Sequence, residues 1–136
     1  MEIERASFGK DAWTVELFLE YWRACPRLFL IAKDRRRIVG YSIARVDWRG
    51  AELESIAVHP SYRGRGIAQA LLNATISRLR AGSLRLMVST SNAVALRFYQ
   101  RFGFSRVRKV PGYYGVGRDA WRMRLKISGP NQQANK

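Results

Sequence analysis

A short turn with two glycines and two arginines, Arg63-Gly64-Arg65-Gly66, constrains this sequence more than any other stretch. It follows a strand-like run at residues 53–58 and precedes a helix-like run from Ile67 to about Arg80. The unpaired N–H groups of a helix's first turn and the helix dipole favour an anion at that end. Glycine lets the backbone approach a ligand, and arginine donates forked hydrogen bonds to phosphate. The order of strand, turn and helix therefore predicts a pyrophosphate-binding site.

Hydrophobic periodicity predicts alternating strands and helices along most of the chain. Helices are expected at residues 11–24, 67–80 and 93–102, and strands at 1–6, 28–32, 38–46, 51–58, 84–88, 104–109 and 119–127. The apolar run at 28–32 is typical of a buried strand, and the charged turn after it predicts an antiparallel hairpin. We therefore expect a single mixed α/β domain over residues 1–127, followed by a disordered polar tail at 128–136.

The charge of the chain is strongly basic and unevenly distributed. The formal net charge is +15. Residues 55–136 carry 15 basic side chains and one acidic side chain, whereas residues 1–54 carry 10 and 9. A basic half attracts polyanions such as nucleic acid, the ribosome or a multiply phosphorylated cofactor, although general surface basicity in an arginine-rich proteome is the alternative cause.

The remaining composition narrows the protein class. The single cysteine, Cys25, excludes an internal disulfide and suits a reducing compartment. No apolar run reaches the length of a membrane span, and the first residues lack the pattern of a secretion signal. We therefore expect a cytoplasmic protein that neither spans a membrane nor carries a metal site.

Two blocks of the sequence resemble the GNAT superfamily of N-acetyltransferases. Arg63 to Ala68 is similar to the family's cofactor signature, Arg/Gln-x-x-Gly-x-Gly/Ala, and Asn92 to Phe104 is similar to its Asn-x-x-Ala-x-x-x-Tyr-x-x-x-Gly-Phe helix. Tyr113-Tyr114 followed by Asp119-Ala120 resembles the ribosomal-protein alanine N-acetyltransferases within it. The resemblance implies a mixed, mostly antiparallel central sheet with helices on both faces. It also implies direct transfer of an acetyl group from acetyl-CoA to a primary amine, such as a protein or peptide N-terminus.

The resemblance also implies roles for individual residues. Tyr99 matches the acid that protonates the leaving thiolate, and a phenol with a pKa of about 10 is protonated at neutral pH. Tyr113 and Tyr114 match residues that hold the acceptor peptide. Asn92 is suited both to capping its helix and to binding the cofactor. The implied cofactor contacts are Ile56, Ala57, Val58, Arg63, Gly64, Arg65, Gly66, Ile67, Ala68, Asn92, Phe98 and Tyr99.

The general base stays open at this point. Members of the resembling subgroup carry a glutamate where this chain has Met87, which cannot accept a proton. Glu54, on the strand before the glycine turn, is the first candidate, with Glu52 and His59 as alternatives. An α-amino group has a pKa of about 7.7–8.0, against about 10.4 for lysine. A site without a strong base therefore favours an N-terminal amine over a lysine.

Two other functions fit parts of the sequence. A basic nucleic-acid- or ribosome-binding module with little catalysis would use the positive second half, but it leaves the glycines at the helix start unexplained. A non-catalytic acyl-CoA sensor is compatible with Met87, whereas Tyr99 favours catalysis.

Overall fold

The computed structural model describes residues 14–80 and 82–127, which form two compact units. Of these residues, unit 1 holds 14–49 and 53–79, and unit 2 holds 50–52, 80 and 82–127. The helices are α1 (Val15–Ala24), α2 (Ile67–Ser77) and α3 (Ala93–Phe102). The strands are β1 (Phe29–Asp34), β2 (Arg37–Asp47), β3 (Gly50–Val58), β4 (Gly82–Ser89), β5 (Ser105–Val110) and β6 (Ala120–Ile127). The expected strand at residues 1–6 and the tail at 128–136 lie outside the described residues.

The strand order is β1-β2-β3-β4-β6-β5, and β3 contributes residues to both units. The pairs β1/β2, β4/β6 and β5/β6 are antiparallel, while β3 and β4 are parallel. The expected mixed, mostly antiparallel sheet is therefore confirmed. The expectation of one domain over residues 1–127 stays a prediction.

The predicted hairpin of β1 and β2 is present in unit 1, with Phe29 opposite Ile43 and a two-residue turn at Arg35-Arg36. The prediction that residues 28–32 form a buried strand is wrong in part. Only Leu28 is fully buried, and it precedes β1, where Ile31 is 48% exposed. Among the strands that the structure describes, β1 is first in the sheet order, with β2 beside it.

Helices pack on both faces of the unit 1 sheet, as expected. Successive strand residues point to opposite faces. Tyr41 meets Phe18 of α1, with ring centroids 5.3 Å apart. Its neighbour Ser42 hydrogen-bonds the Thr75 hydroxyl of α2 at 3.0 Å. Gly40 also faces α2, and a Cβ there would lie 3.3 Å from Ile67 and 3.2 Å from the carbonyl oxygen of Ala57. The α2 helix ends at Ser77, three residues before the predicted end.

In unit 2, α3 has the predicted bounds because both of its ends carry strong local signals. The Asn92 side chain accepts a hydrogen bond from the Ala95 N–H at 3.1 Å, which caps the first turn. Gly103 ends the helix at φ +126°, and the next residue, Phe104, is buried against the Tyr99 ring at 5.5 Å. β4 pairs with β6 along its whole length, and β5 lies on the outer side of β6.

Candidate active site

The predicted order of strand, glycine turn and helix is present in unit 1. β3 ends at Val58, a 3-10 turn covers Pro60–Tyr62, and α2 begins at Ile67. Gly64 and Gly66 both have φ +78°, a left-handed conformation that costs other L-residues about 1–2 kcal/mol. Apart from the adjacent residues, no atom of the described part of the chain lies within 4 Å of a Cβ built on either glycine, so the space beside the turn is open to that part.

The turn carries unused hydrogen-bond donors, as an anion site requires. The backbone N–H of Arg63 donates to the carbonyl oxygen of Pro60, and the backbone N–H of Ala70 donates to the carbonyl oxygen of Gly66. Within the described residues, the six N–H groups between them make no hydrogen bond. Gly66 caps α2 without a side chain, so no protein acceptor occupies the positive end of the helix. These donors, next to an open surface, fit the diphosphate of coenzyme A.

The two arginines of the turn have different positions. Arg63 donates from Nε to the carbonyl oxygen of Val58 at 3.1 Å, so this donor braces the turn against β3. Arg65 is exposed and places its guanidinium carbon 4.9 Å from the centre of the Tyr62 ring. Arg37 lies 5.9 Å from the same ring. Arg65 is therefore the better placed of the two to reach a bound phosphate.

Tyr62 and Asp34 support this group, and the sequence reasoning missed both. The Tyr62 hydroxyl donates to Asp34 at 2.9 Å, and this bond raises the pKa of the phenol. Because the tyrosine is held in this way, its ring offers a fixed surface on which arginines stack. The position of Tyr62 directly before Arg63 is a feature of the sequence from which a contact between an aromatic ring and the arginines of the turn could be predicted.

The strand end that precedes the turn is mostly buried. Ala57 and Val58 are buried, and Ile56 is partly buried. Ala57 belongs to the core cluster formed with Tyr41 and Ile43. Their side chains therefore stabilise unit 1, and any cofactor contact from this strand end falls to the backbone.

Tyr99 lies in unit 2, on the inner face of α3, and is 8% exposed. Its ring contacts Phe98 at 5.4 Å and Phe104 at 5.5 Å. Burial raises the pKa of its phenol, with a further contribution from Tyr114. Tyr99 therefore stays protonated well above neutral pH, as a proton donor must. Asn92 caps α3, which is one of its two expected roles.

The two tyrosines of the loop between β5 and β6 form a contact pair in unit 2. The rings of Tyr113 and Tyr114 are perpendicular, with centroids 4.9 Å apart, and both residues are exposed. The Tyr114 hydroxyl donates to the backbone carbonyl of Met87 at 3.4 Å. The loop is thus held over Met87 of β4, and two aromatic rings face solvent there.

Both candidate carboxylates on β3 are engaged by arginines. Glu54, in unit 1, accepts a hydrogen bond from Arg45, whose pKa it raises. Glu52, in unit 2, accepts from Arg122 at 3.0 Å and lies 3.7 Å from Arg85. Glu52 thus meets two guanidinium groups through one oxygen, whereas Glu54 meets one. Each carboxylate uses one oxygen in these contacts, and the side chain of Glu54 is the more exposed of the two.

His59, one of the alternative candidates for the base, makes local contacts. Its Nδ1 accepts the Ser61 N–H at 3.1 Å, and its Nε2 lies 3.2 Å from a guanidinium nitrogen of Arg37. The hydrogen bond from Ser61 ties the imidazole to the residues just before the glycine turn, so its contacts are local.

Comparison with known proteins agrees with these features. Residues 1–104 match the acetyltransferase (GNAT) family. An uncharacterized N-acetyltransferase of Methanocaldococcus jannaschii is 37% identical over 88% of this chain and 78% of its own length. The N-alpha-acetyltransferase RimI of Mycobacterium tuberculosis is 33% identical over 96% of this chain and 86% of its own length.

A solved structure shows the same fold. The ribosomal-protein-S18-alanine N-acetyltransferase of Escherichia coli aligns with 95% of this chain and 87% of its own, at a TM-score of 0.77 and 29% identity. The expected resemblance to the ribosomal-protein alanine N-acetyltransferases is therefore confirmed. With its family match over three quarters of its length, this chain belongs to the GNAT family of acetyltransferases, enzymes that use acetyl-CoA.

Proposed function

We propose that this chain transfers the acetyl group of acetyl-CoA to the α-amine of a protein or peptide N-terminus, by direct attack in a ternary complex. The similarity to an N-alpha-acetyltransferase over 96% of the chain carries the proposal. The open, donor-rich glycine turn supports it, because that turn fits the coenzyme's diphosphate. A nucleic-acid-binding module explains the glycine turn less well than an acetyltransferase does. A non-catalytic acyl-CoA sensor explains the similarity to an N-alpha-acetyltransferase less well.

In this proposal, acetyl-CoA supplies an activated thioester, and the chain supplies binding and proton transfer. The N–H groups of residues 64–68 and the side chain of Arg65 bind the diphosphate. Residues 56–58 contribute backbone groups, and Asn92 and Phe98 contribute from the start and inner side of α3. Tyr99 holds a proton on its hydroxyl oxygen at neutral pH and donates it to the thiolate.

We assign Glu54 as the group that accepts the amine's proton through a water molecule. Its carboxylate has one arginine partner, whereas Glu52 has two and is more buried. The demand on this base is small, since an α-amine with a pKa of about 7.7–8.0 is partly neutral at physiological pH. Tyr113 and Tyr114 hold the acceptor's first residues, in keeping with their exposed rings.

The acceptor is tested with three matched peptides. One has a free N-terminus and no lysine, one has a blocked N-terminus and an internal lysine, and one is blocked and lacks lysine. The proposal predicts acetylation of the first alone, because a lysine with a pKa of about 10.4 needs roughly 4 kcal/mol more help at neutral pH. Faster acetylation of the lysine peptide would overturn the assignment of an N-terminal acceptor.

The acid is tested with Tyr99→Phe, which keeps the ring and its packing. General acids contribute about 10²- to 10⁴-fold to turnover, so kcat is expected to fall by roughly that factor. The Kd for acetyl-CoA, measured by calorimetry, is expected to stay within a few-fold. An unchanged kcat would remove Tyr99 from the mechanism.

The proposed location is the cytoplasm, where acetyl-CoA and unfolded N-termini are both available. Among the described residues, no helix has the length and apolar character needed to cross a membrane. A nucleic acid or the ribosome is a further proposed partner, because the exposed cations of unit 2 favour a polyanion.

A further inference from the structure

The outer two strands of unit 2 carry exposed cations on both of their faces. β5 is the last described strand in the sheet order, and β6 lies beside it. The exposed basic residues of these two strands, here named the β5–β6 basic surface, are Arg106 and Lys109 on the face of Trp121, and Arg108, Arg124 and Lys126 on the opposite face. Among the residues that the structure describes, no carboxylate forms an ion pair with any of the five.

Unit 2 holds little negative charge that could neutralise this surface. Its described residues include two acidic side chains, and both are already engaged. Glu52 is buried and accepts from Arg122 at 3.0 Å. Asp119 accepts the backbone N–H of Gly112 at 2.9 Å. The positive charge of the surface is therefore directed to solvent without a local counter-charge.

The strand register adds to the repulsion. Arg108 lies directly opposite Arg122 across β5 and β6, and Arg85 lies directly opposite Arg124 across β4 and β6. Like charges in such positions destabilise a sheet. Glu52 offsets the charge of Arg122 and Arg85, but Arg108 and Arg124 have no such carboxylate. A polyanion bound from outside would relieve this repulsion.

An aromatic side chain organises two of the cations. The guanidinium carbon of Arg106 lies 4.8 Å from the centre of the Trp121 ring, and the ammonium of Lys109 lies 5.9 Å from it. A guanidinium on an aromatic face keeps its N–H groups available, and these match the oxygens of phosphate. Charged side chains also protect strand edges from aggregation. Edge protection does not require a guanidinium held on an aromatic ring, so the pairing of Arg106 with Trp121 calls for a further explanation.

We propose that the β5–β6 basic surface binds nucleic acid through its phosphate backbone. Charge complementarity carries the choice of partner, since the surface offers mainly arginine forks and makes few apolar contacts available. Such binding is independent of base sequence and depends steeply on salt. RNA and DNA share this chemistry, so the test separates them.

The test measures anisotropy of fluorescein-labelled RNA and DNA hairpins of about 20 nucleotides over a range of salt concentrations. Arg106→Gln, Arg108→Gln and Lys109→Gln are combined in one variant. The control combines Arg23→Gln, Lys33→Gln and Arg36→Gln, which are exposed in unit 1 and remove the same charge. Each lost phosphate contact lowers the slope of log K against log salt by about 0.7–0.9. We expect the β5 variant to lose about 2 in slope and at least about 10-fold in affinity, and the control to lose much less.

Equal affinity for the two hairpins supports backbone recognition alone, and a preference for RNA supports added contacts to the 2′-hydroxyl. Three results would overturn the proposal: no binding by the unaltered chain at low salt, equal losses in both variants, or equally tight binding of polyglutamate. The β5 variant is expected to acetylate a short peptide at an unchanged rate, and this result would show that the variant is folded. If the variant does not fold, Arg124→Gln combined with Lys126→Gln tests the same surface from β6. The slope of log K against log salt is then expected to fall by about 1–2.

Discussion

The Nε of Arg63 donates a hydrogen bond of 3.1 Å to the carbonyl oxygen of Val58, which joins the start of the glycine turn to the end of β3. Arg65, two residues later, points instead to the Tyr62 ring. The two arginines of the turn therefore have different contacts. We expect the first to fix the shape of the turn and the second to offer its charge to a ligand.

This difference predicts different effects of two alanine substitutions. Arg63→Ala is expected to lower the free energy of unfolding by about 1 kcal/mol, since a partly buried carbonyl loses its donor. Arg65→Ala is expected to leave stability within about 0.5 kcal/mol, since the residue is exposed. It is expected to weaken acetyl-CoA binding several-fold. Urea unfolding and calorimetry measure the two quantities. A stability loss confined to Arg65→Ala would contradict the assignment.

Gly66→Val is expected to abolish detectable acetyl-CoA binding. A β-branched side chain is strained at φ +78° and would place methyl groups over the donors of the turn. Gly117→Val is the matched control, because Gly117 has φ +71° and equally open surroundings in a different loop. Both variants are expected to lose about 1–2 kcal/mol of stability. Calorimetry with acetyl-CoA then separates strain from ligand exclusion. Loss of binding in both variants would mean that strain alone is responsible.

Stability is expected to fall as the pH rises above about 10. The pKa of Tyr99 is raised in the folded chain, so above the ordinary tyrosine pKa the unfolded chain has released this proton while the folded chain keeps it. Because the folded state then binds more protons, the free energy of unfolding decreases with pH. Tyr99→Phe lacks this group, and its decrease over the same range is expected to be smaller. Urea unfolding at pH 9, 10 and 11 measures the free energy of unfolding of both proteins. The same decrease with pH in the unaltered chain and in Tyr99→Phe would contradict this prediction.

Glu52 and Glu54 are expected to differ in their contribution to stability. Glu52→Gln leaves Arg85 and Arg122 without a carboxylate in a largely buried position, which is expected to cost about 2–4 kcal/mol. Glu54→Gln leaves Arg45 paired with Asp47 at 2.6 Å, so a loss of about 1 kcal/mol is expected. In kcat the order is reversed, because Glu54 is the proposed base. A larger fall in kcat for Glu52→Gln than for Glu54→Gln would exchange the two roles.

Local rules explain which parts of the structure the sequence predicts well. The capping side chain of Asn92 and the left-handed Gly103 mark both ends of α3, so its bounds are predicted to the residue. The glycine turn is likewise defined by residues next to one another. Periodicity also predicts the buried face of α2, although it favours apolar side chains and misses the buried Thr75, whose hydroxyl is satisfied by Ser42 of β2.

The parts that the sequence does not predict depend on residues far apart in the chain. Glu52 meets Arg122 from seventy positions away, so its loss of availability as a base follows from strand order and not from any local pattern. The same holds for β1, whose apolar residues resemble a buried strand while Ile31 is 48% exposed. The placement of Tyr114 over Met87 also requires the pairing of β4 with β6.

Gly40 of β2 packs closely against the start of α2. A methyl group at that position would lie 3.3 Å from the side chain of Ile67, the first residue of the helix, and 3.2 Å from the carbonyl oxygen of Ala57. Because both contacts are tighter than usual, their neighbours would have to shift by a few tenths of an ångström, and we expect the donors of the nearby glycine turn to shift with them. A mutation search for altered cofactor affinity should therefore include this buried strand position, which touches no ligand at all.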